Sequence, residues 1–177
     1  PRIKFEVSST DVRNRKYALM PHSAYRFAEL HNLYGLRTVP IEAGAPTTLF
    51  QYRDYQIPVV NRPFVHIPDF QSFELAKELI TKILPRLKKD SIIVVMGSGA
   101  GLHPALIARY SQRHNQNFNI YAFDLTEEAV ETTKATLQQN GLSEYVKVLR
   151  GDAKDGELLK ELFCKVSLLV AHPPTMP

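Results

Sequence analysis

One apolar run that ends in glycines constrains this chain more than any other feature. Residues 91–101 read Ser-Ile-Ile-Val-Val-Met-Gly-Ser-Gly-Ala-Gly. A short, wholly apolar run is the pattern of a strand buried on both faces of a parallel sheet. Gly97, Gly99 and Gly101 then stand at alternate positions. Glycine in such a turn permits positive φ and lets the backbone approach a ligand closely. The next residues, 102–114 ("LHPALIARYSQRH"), have a helical pattern. Strand, glycine turn and helix in that order open a βαβ unit.

The alternation continues to the last residues. The run "FNIYAFD" (118–124) reads as a second buried strand. Residues 126–141 predict a helix with Thr126 as N-cap, acidic residues in the first turn and Gly141 as the stop. "YVKVLRGD" (145–152) is a third strand, "GELLKELF" (156–163) a short helix and "VSLLVAH" (166–172) a fourth strand. Upstream, "QSFELAKELITKILPRLKK" (71–89) is an amphipathic helix whose apolar face carries Phe73, Leu75, Leu79, Ile80 and Ile83. These spacings suit right-handed crossovers, so the expected class is α/β with a Rossmann-like, doubly wound parallel sheet.

The first 62 residues read as an N-terminal annex to a domain over 63–177. Within it, "SAYRFAELHNLYG" (23–35) predicts a helix that Gly35 ends, and residues 39–48 predict a loop. "TLFQYRDYQIPVV" (48–60) is strand material, and Pro58 points to an edge or a strand end. Its aromatics Phe50, Tyr52 and Tyr55, beside Arg53 and Arg62, could stack on RNA bases, but strand packing explains them as well.

Composition excludes several classes. The chain has 177 residues, 44% hydrophobic and 23% charged, which is ordinary for a chain with a real core. No apolar run approaches the roughly 20 residues of a membrane span, and the first residues lack the apolar stretch of a signal peptide. A cytoplasmic location is expected. The net charge of +4 is compatible with a nucleic-acid partner, although no long Lys/Arg run is present. Cys164 is the single cysteine, so an internal disulfide is excluded, and its apolar neighbours predict a buried, inert thiol. His22, His31, His66, His103, His114 and His172 form no metal-binding spacing; His103, at the start of a helix, reads as a surface or capping residue. Ser98 lacks the spacing of a nucleophile elbow.

The candidate ligand-binding residues stand at strand ends. Asp124 closes the second strand, where a carboxylate accepts hydrogen bonds from ribose hydroxyls. Asp152 closes the third, where it could bond an adenine amino group while Ala153 donates from its backbone. Carboxyl ends of neighbouring strands are where open α/β sheets hold ligands. A nicotinamide cofactor is the weaker option, because the third glycine of the dinucleotide fingerprint falls on Leu102.

Together these blocks resemble the class I S-adenosylmethionine (SAM) dependent methyltransferases. "VMGSGAG" resembles motif I, "FDLTEEAVETTKATLQQNGL" motif II and its helix, and "VLRGDA" motif III. "HIPDFQSFELAKELI" (66–80) resembles the segment before motif I in the HemK/PrmC group of glutamine N5-methyltransferases. "AHPPTMP" stands where amino-methyltransferases carry Asn-Pro-Pro-Tyr. The resemblance covers about 64–177 and, more loosely, 48–60. It implies SAM as cofactor. Gly97, Ser98, Gly99 and Gly101 would cradle its methionine part, Asp124 its ribose, Leu125 its adenine face, and Asp152 with Ala153 the adenine edge. His172, Pro173, Pro174 and Thr175 would line the acceptor pocket, and the acceptor would be a protein glutamine or a base amine of RNA or DNA.

The departures are specific. Val95 stands where motif I carries an acidic residue, His172 replaces Asn and Thr175 replaces an aromatic. The family also has three further strands beyond the fourth, so an incomplete sheet is expected, with a missing segment or a partner chain over its edge. The alternative reading is a catalytically degenerate methyltransferase-fold scaffold or partner subunit.

Overall fold

The computed structural model describes residues 47–62, 65–152, 155–156, 160–162 and 164–171. The helix expected over 23–35 and most of the loop expected over 39–48 lie outside them. So do Ala153 and the stretch from His172 to Pro177.

A hairpin opens the described chain. Strand β1 (Thr47–Tyr52) pairs antiparallel with β2 (Tyr55–Val60), with Tyr52 opposite Tyr55 across a two-residue turn. Thr47 and Thr48 thus belong to β1 rather than to the loop. Pro58 sits within β2, opposite Leu49, where its missing N–H is tolerated because β2 pairs on one side only among the described residues. The hairpin packs into the same core as the parallel sheet.

Helix α1 (Phe70–Glu78) starts at Asp69, whose side chain accepts from the Ser72 N–H. The expected stripe runs on as far as residue 83, but the helix does not stay regular. It widens into a π turn (Leu79–Ile83) and tightens into a 3-10 turn (Leu84–Arg86). Pro85 supplies the reason. It has no N–H to give the preceding turn, and its ring would clash with the carbonyl four residues back. The Leu84 N–H bonds the Leu79 carbonyl instead, one residue further than in an α-helix.

From there the alternation expected from sequence appears. Strand β3 (Ile92–Met96) leads to α2 (Leu102–His114), β4 (Asn119–Asp124) to α3 (Glu127–Gln139), and β5 (Val146–Arg150) to β6 (Val166–Ala171). Of the short helix expected over 156–163, the described residues hold a 3-10 turn at Lys160–Leu162. The sheet order is β5-β4-β3-β6, parallel throughout. The chain therefore steps outward from β3 to β5, then returns to the other side of β3.

That reversal fixes which face each connection crosses. Ile93, Val95, Ile120, Ala122 and Val170 face a core built with α1, α2, α3 and the hairpin. Val94 and Phe123, on the other pleat, pack with Leu162. The return connection thus passes over the opposite face, as right-handed crossovers in both directions require. This is a Rossmann-like α/β arrangement, doubly wound, with the reversal at β3.

The hairpin aromatics are packing residues. Phe50 is buried edge-on against Phe73, with ring centres 5.4 Å apart. Tyr55 is buried and stacks at 6.4 Å on Tyr110 of α2. Arg113 lies over the same Tyr55 ring and pairs with Asp54 at 2.6 Å. Strand packing, not base stacking, accounts for Phe50 and Tyr55. Cys164 departs from expectation in the other direction. It is exposed, with φ of 60°, in the turn that the Lys165 N–H closes onto the Leu162 carbonyl. Apolar neighbours predicted burial, but the turn points the chain outward just before β6.

Candidate functional site

The site is built from the turn after β3 outward. Gly97, Gly99 and Gly101 have φ of 71°, 53° and 89°, values that L side chains rarely adopt. The N–H groups of Gly97 and Ser98 both donate to the Phe123 carbonyl, at 2.9 and 3.0 Å, so the turn leans on the end of β4.

Asp124 is the hub. Its Oδ2 accepts from the Gly99 N–H at 2.9 Å, and its Oδ1 accepts from the Thr126 N–H at 3.3 Å. Its backbone carbonyl accepts from the Gly151 N–H at 2.9 Å, which ties the exit of β5 to the exit of β4. Three adjacent strand ends are thereby fastened to one residue. Thr126 in turn caps α3, its side chain accepting from the Ala129 N–H, so Asp124 is held by a rigid helix start.

A cavity of about 540 Å³ opens at these strand ends, within the range of small-molecule sites. Met96, Gly97, Ser98 and Gly99 line one side of it, and Asp124, Leu125, Gly151 and Asp152 another. Leu125 is 61% exposed at this rim, an unusual position for a large apolar side chain and a ready face for a planar ring. Gly101 does not line the cavity. It forms the start of α2, and a Cβ there would stand 3.0 Å from the Thr133 Cα, so its role is close packing against α3.

The remaining wall escaped the sequence reading. Val65, His66 and Pro68 line the cavity from the segment just before α1, to which the sequence reading gave no ligand role. His103 and Ser72 line it too. His103 is buried, and its Nε2 lies 3.1 Å from the Ser72 carbonyl, which corrects the surface or capping assignment. The start of α1 lies across the first turn of α2 and covers it. The sequence signal that existed was the cap Asp69-x-x-Ser72, which marks where α1 begins and so where this wall forms. Val95 lies buried in the helix-side core, and Met96 meets the cavity instead.

Among the described residues no group of three His, Cys, Asp or Glu side chains could hold a metal ion. Among them also, no helix is long and apolar enough to cross a membrane.

No family model matches the chain. It is 25% identical over 140 residues to a protein-L-isoaspartate O-methyltransferase of Staphylothermus marinus, a match covering 78% of this chain and 60% of that protein. It therefore spans about three-fifths of the length of that relative. A solved precorrin 8W decarboxylase of Methanobacterium thermoautotrophicum superposes with a TM-score of 0.50 and 25% identity, over 64% of this chain and 54% of that one. A SAM-dependent methyltransferase of Agrobacterium tumefaciens superposes with a TM-score of 0.55 and 14% identity, over 78% of this chain and 43% of that one. The chain has the class I SAM-dependent methyltransferase fold.

Proposed function

We propose that this chain binds SAM in the cavity at the β3, β4 and β5 strand ends and transfers its methyl group to a nitrogen, that of a protein glutamine or of a nucleic-acid base amine. The observation that carries the reading is the Asp124 carboxylate, bonded to the Gly99 N–H and facing the same cavity as the glycine turn, Leu125 and Asp152. A nucleoside needs such a set: a carboxylate for two ribose hydroxyls, an apolar face for the base and a polar group at its edge. Gly97, Ser98 and Gly99 would meet the methionine part, and Ala153 would join Asp152 at the adenine edge. Gly101 serves the same loop by letting α3 come close.

The chemistry asks little acid–base work of the protein. When bound, SAM would supply a methyl group activated by its sulfonium, and the acceptor nitrogen would release its proton to solvent. An amide or base amine is a poor nucleophile, so positioning supplies most of the rate. Residues 172–175, His-Pro-Pro-Thr, would line the acceptor side, as in the HemK/PrmC-like N-methyltransferases. His172 can accept one hydrogen bond where the family's Asn does, and Thr175 leaves the acceptor without a stacking ring.

A second reading is a non-catalytic scaffold of the same fold, completed by a partner chain along the sheet edge. Val95 favours it, since the position that is acidic in motif I is apolar here and packed into the core.

Calorimetric titration with SAM, of this chain and of Asp124→Ala, tests the cofactor site. Binding in the micromolar range that weakens at least about tenfold in the variant is the expected result. Transfer of labelled methyl to glutamine peptides or oligonucleotides then tests the acceptor, with an isoaspartyl peptide, named for the O-methyltransferase relative, as the competing substrate. A folded chain that fails to bind SAM overturns the enzyme reading and leaves the scaffold.

A further inference from the structure

Helix α3 carries a polar stripe that the cavity does not use. Thr133, Thr136 and Asn140 lie three and four residues apart, on one face of the helix. Thr133 and Thr136 are fully buried, where a hydroxyl needs a partner. The Thr133 hydroxyl lies 3.0 Å from the Gly99 carbonyl and 2.9 Å from the Ser98 hydroxyl. The Thr136 hydroxyl donates to the Ala100 carbonyl at 2.7 Å and accepts from the Val60 N–H at 2.9 Å. The Asn140 side chain donates to the Pro58 carbonyl at 2.9 Å. One end of the stripe holds two consecutive carbonyls of the glycine turn, the other end holds strand β2, and Thr136 holds both.

We infer that Thr133 and Thr136 are positioning residues for the cofactor loop, and that the Thr136 hydroxyl couples the β1–β2 hairpin to that loop. Neither residue lines the cavity. A turn of three glycines at positive φ has little stiffness of its own, since glycine has the largest backbone freedom to lose. Fixing the Gly99 and Ala100 carbonyls fixes the peptide planes between them. The neighbouring Gly99 N–H then meets Asp124 without further ordering when a ligand arrives. Because one hydroxyl serves both the Ala100 carbonyl and the Val60 N–H, a displacement of β2 is felt in the loop.

The same helix supplies its own control. Thr132 is equally buried, but its hydroxyl bonds the Glu128 carbonyl within α3. The experiment compares Thr133→Val, Thr136→Val, Thr136→Ser and Thr132→Val in the 177-residue chain. It reads SAM affinity by calorimetry and amide hydrogen exchange at residues 97–101 and at Val60. Thr133→Val and Thr136→Val are expected to weaken SAM about tenfold, the scale of one lost buried hydrogen bond, and to speed exchange in the glycine turn. Thr136→Val also speeds exchange at Val60, and Thr136→Ser restores both readouts. Thr132→Val lowers the melting temperature but leaves affinity within about twofold.

Affinity that falls with melting temperature alike in all three valine variants overturns the inference, as does unchanged affinity and exchange in Thr133→Val and Thr136→Val. Should Thr136→Val not fold, Thr133→Val against Thr132→Val decides. The ligand named here rests on the proposed SAM reading. If the parent chain binds no SAM, that reading falls, and the exchange measurement alone decides the positioning role.

Discussion

The two faces of the parallel sheet are finished differently. On the helix side, strand residues such as Ile93 and Ala122 vanish beneath three helices and the hairpin, in one continuous core. On the other side Val94 and Phe123 are buried with Leu162, while Leu169 of β6 is 59% exposed. Met96 and Phe123, both of that second side, also border the cavity. One face is permanently filled and holds the molecule together. The other borders the space that a ligand would fill, to which the filled side lends Val65, Ala100, Leu102 and Ala129 of its core.

The largest test of that division is Leu106→Ala. Leu106 is fully buried on the helix side, and its truncation should cost about 2–5 kcal/mol in urea unfolding. Gly101→Ala comes next. It combines a φ of 89° with a Cβ 3.0 Å from the Thr133 backbone, so a loss of at least about 2 kcal/mol is expected. Gly141→Ala is its comparison, with φ of 66° but open space around it, and should cost only about 1 kcal/mol.

A smaller effect is expected at high pH. Burial raises the Tyr55 hydroxyl above its ordinary range, helped by Asp54 and opposed by Arg113, and burial raises Tyr110 in the same way. A raised native value means that this stability is complete below the unfolded value of about 10 and is lost as pH rises through the native one. Unfolding free energy should fall across that window, and less so in Tyr55→Phe. A flat profile there would count against the packing assigned to the hairpin. The smallest effect belongs to the open face. Leu169→Ala should change stability by no more than about 0.5 kcal/mol. A loss as large as that of Leu106→Ala would mean that both faces are closed alike, and the comparison would fail.

Much of this fold was legible in sequence because the signals were local. Apolar runs mark β3, β4 and β6, Thr126 and Gly141 bracket α3, and α2 begins where the glycines stop. The strand-end aspartates were legible for the same reason, since each closes a run. What escaped was long-range. The helix expected over 71–89 runs through Pro85 as though it were regular, and only the backbone shows the π turn. His66 and His103 meet the cavity because α1 crosses α2, and no periodicity reports that crossing. Cys164 shared the apolar context of Leu162 but not its burial. Nor does a pattern of threonines distinguish a buried hydroxyl stripe from a solvated one.

The strand order also bears on how the molecule assembles. Pairing of β3 with β4 joins residues 27 positions apart (92 to 119), and pairing of β4 with β5 joins residues 26 apart (120 to 146). Pairing of β3 with β6 spans 74 (92 to 166). Longer loops cost more entropy to close, and long-range pairings slow folding. The three strands whose ends meet at Asp124 are thus the quick part of the sheet, and β6 is the slow part. The part of the cavity that Asp124 lines takes shape from nearby pieces of chain, while the edge leading into His-Pro-Pro-Thr waits for the most distant pairing in the sheet.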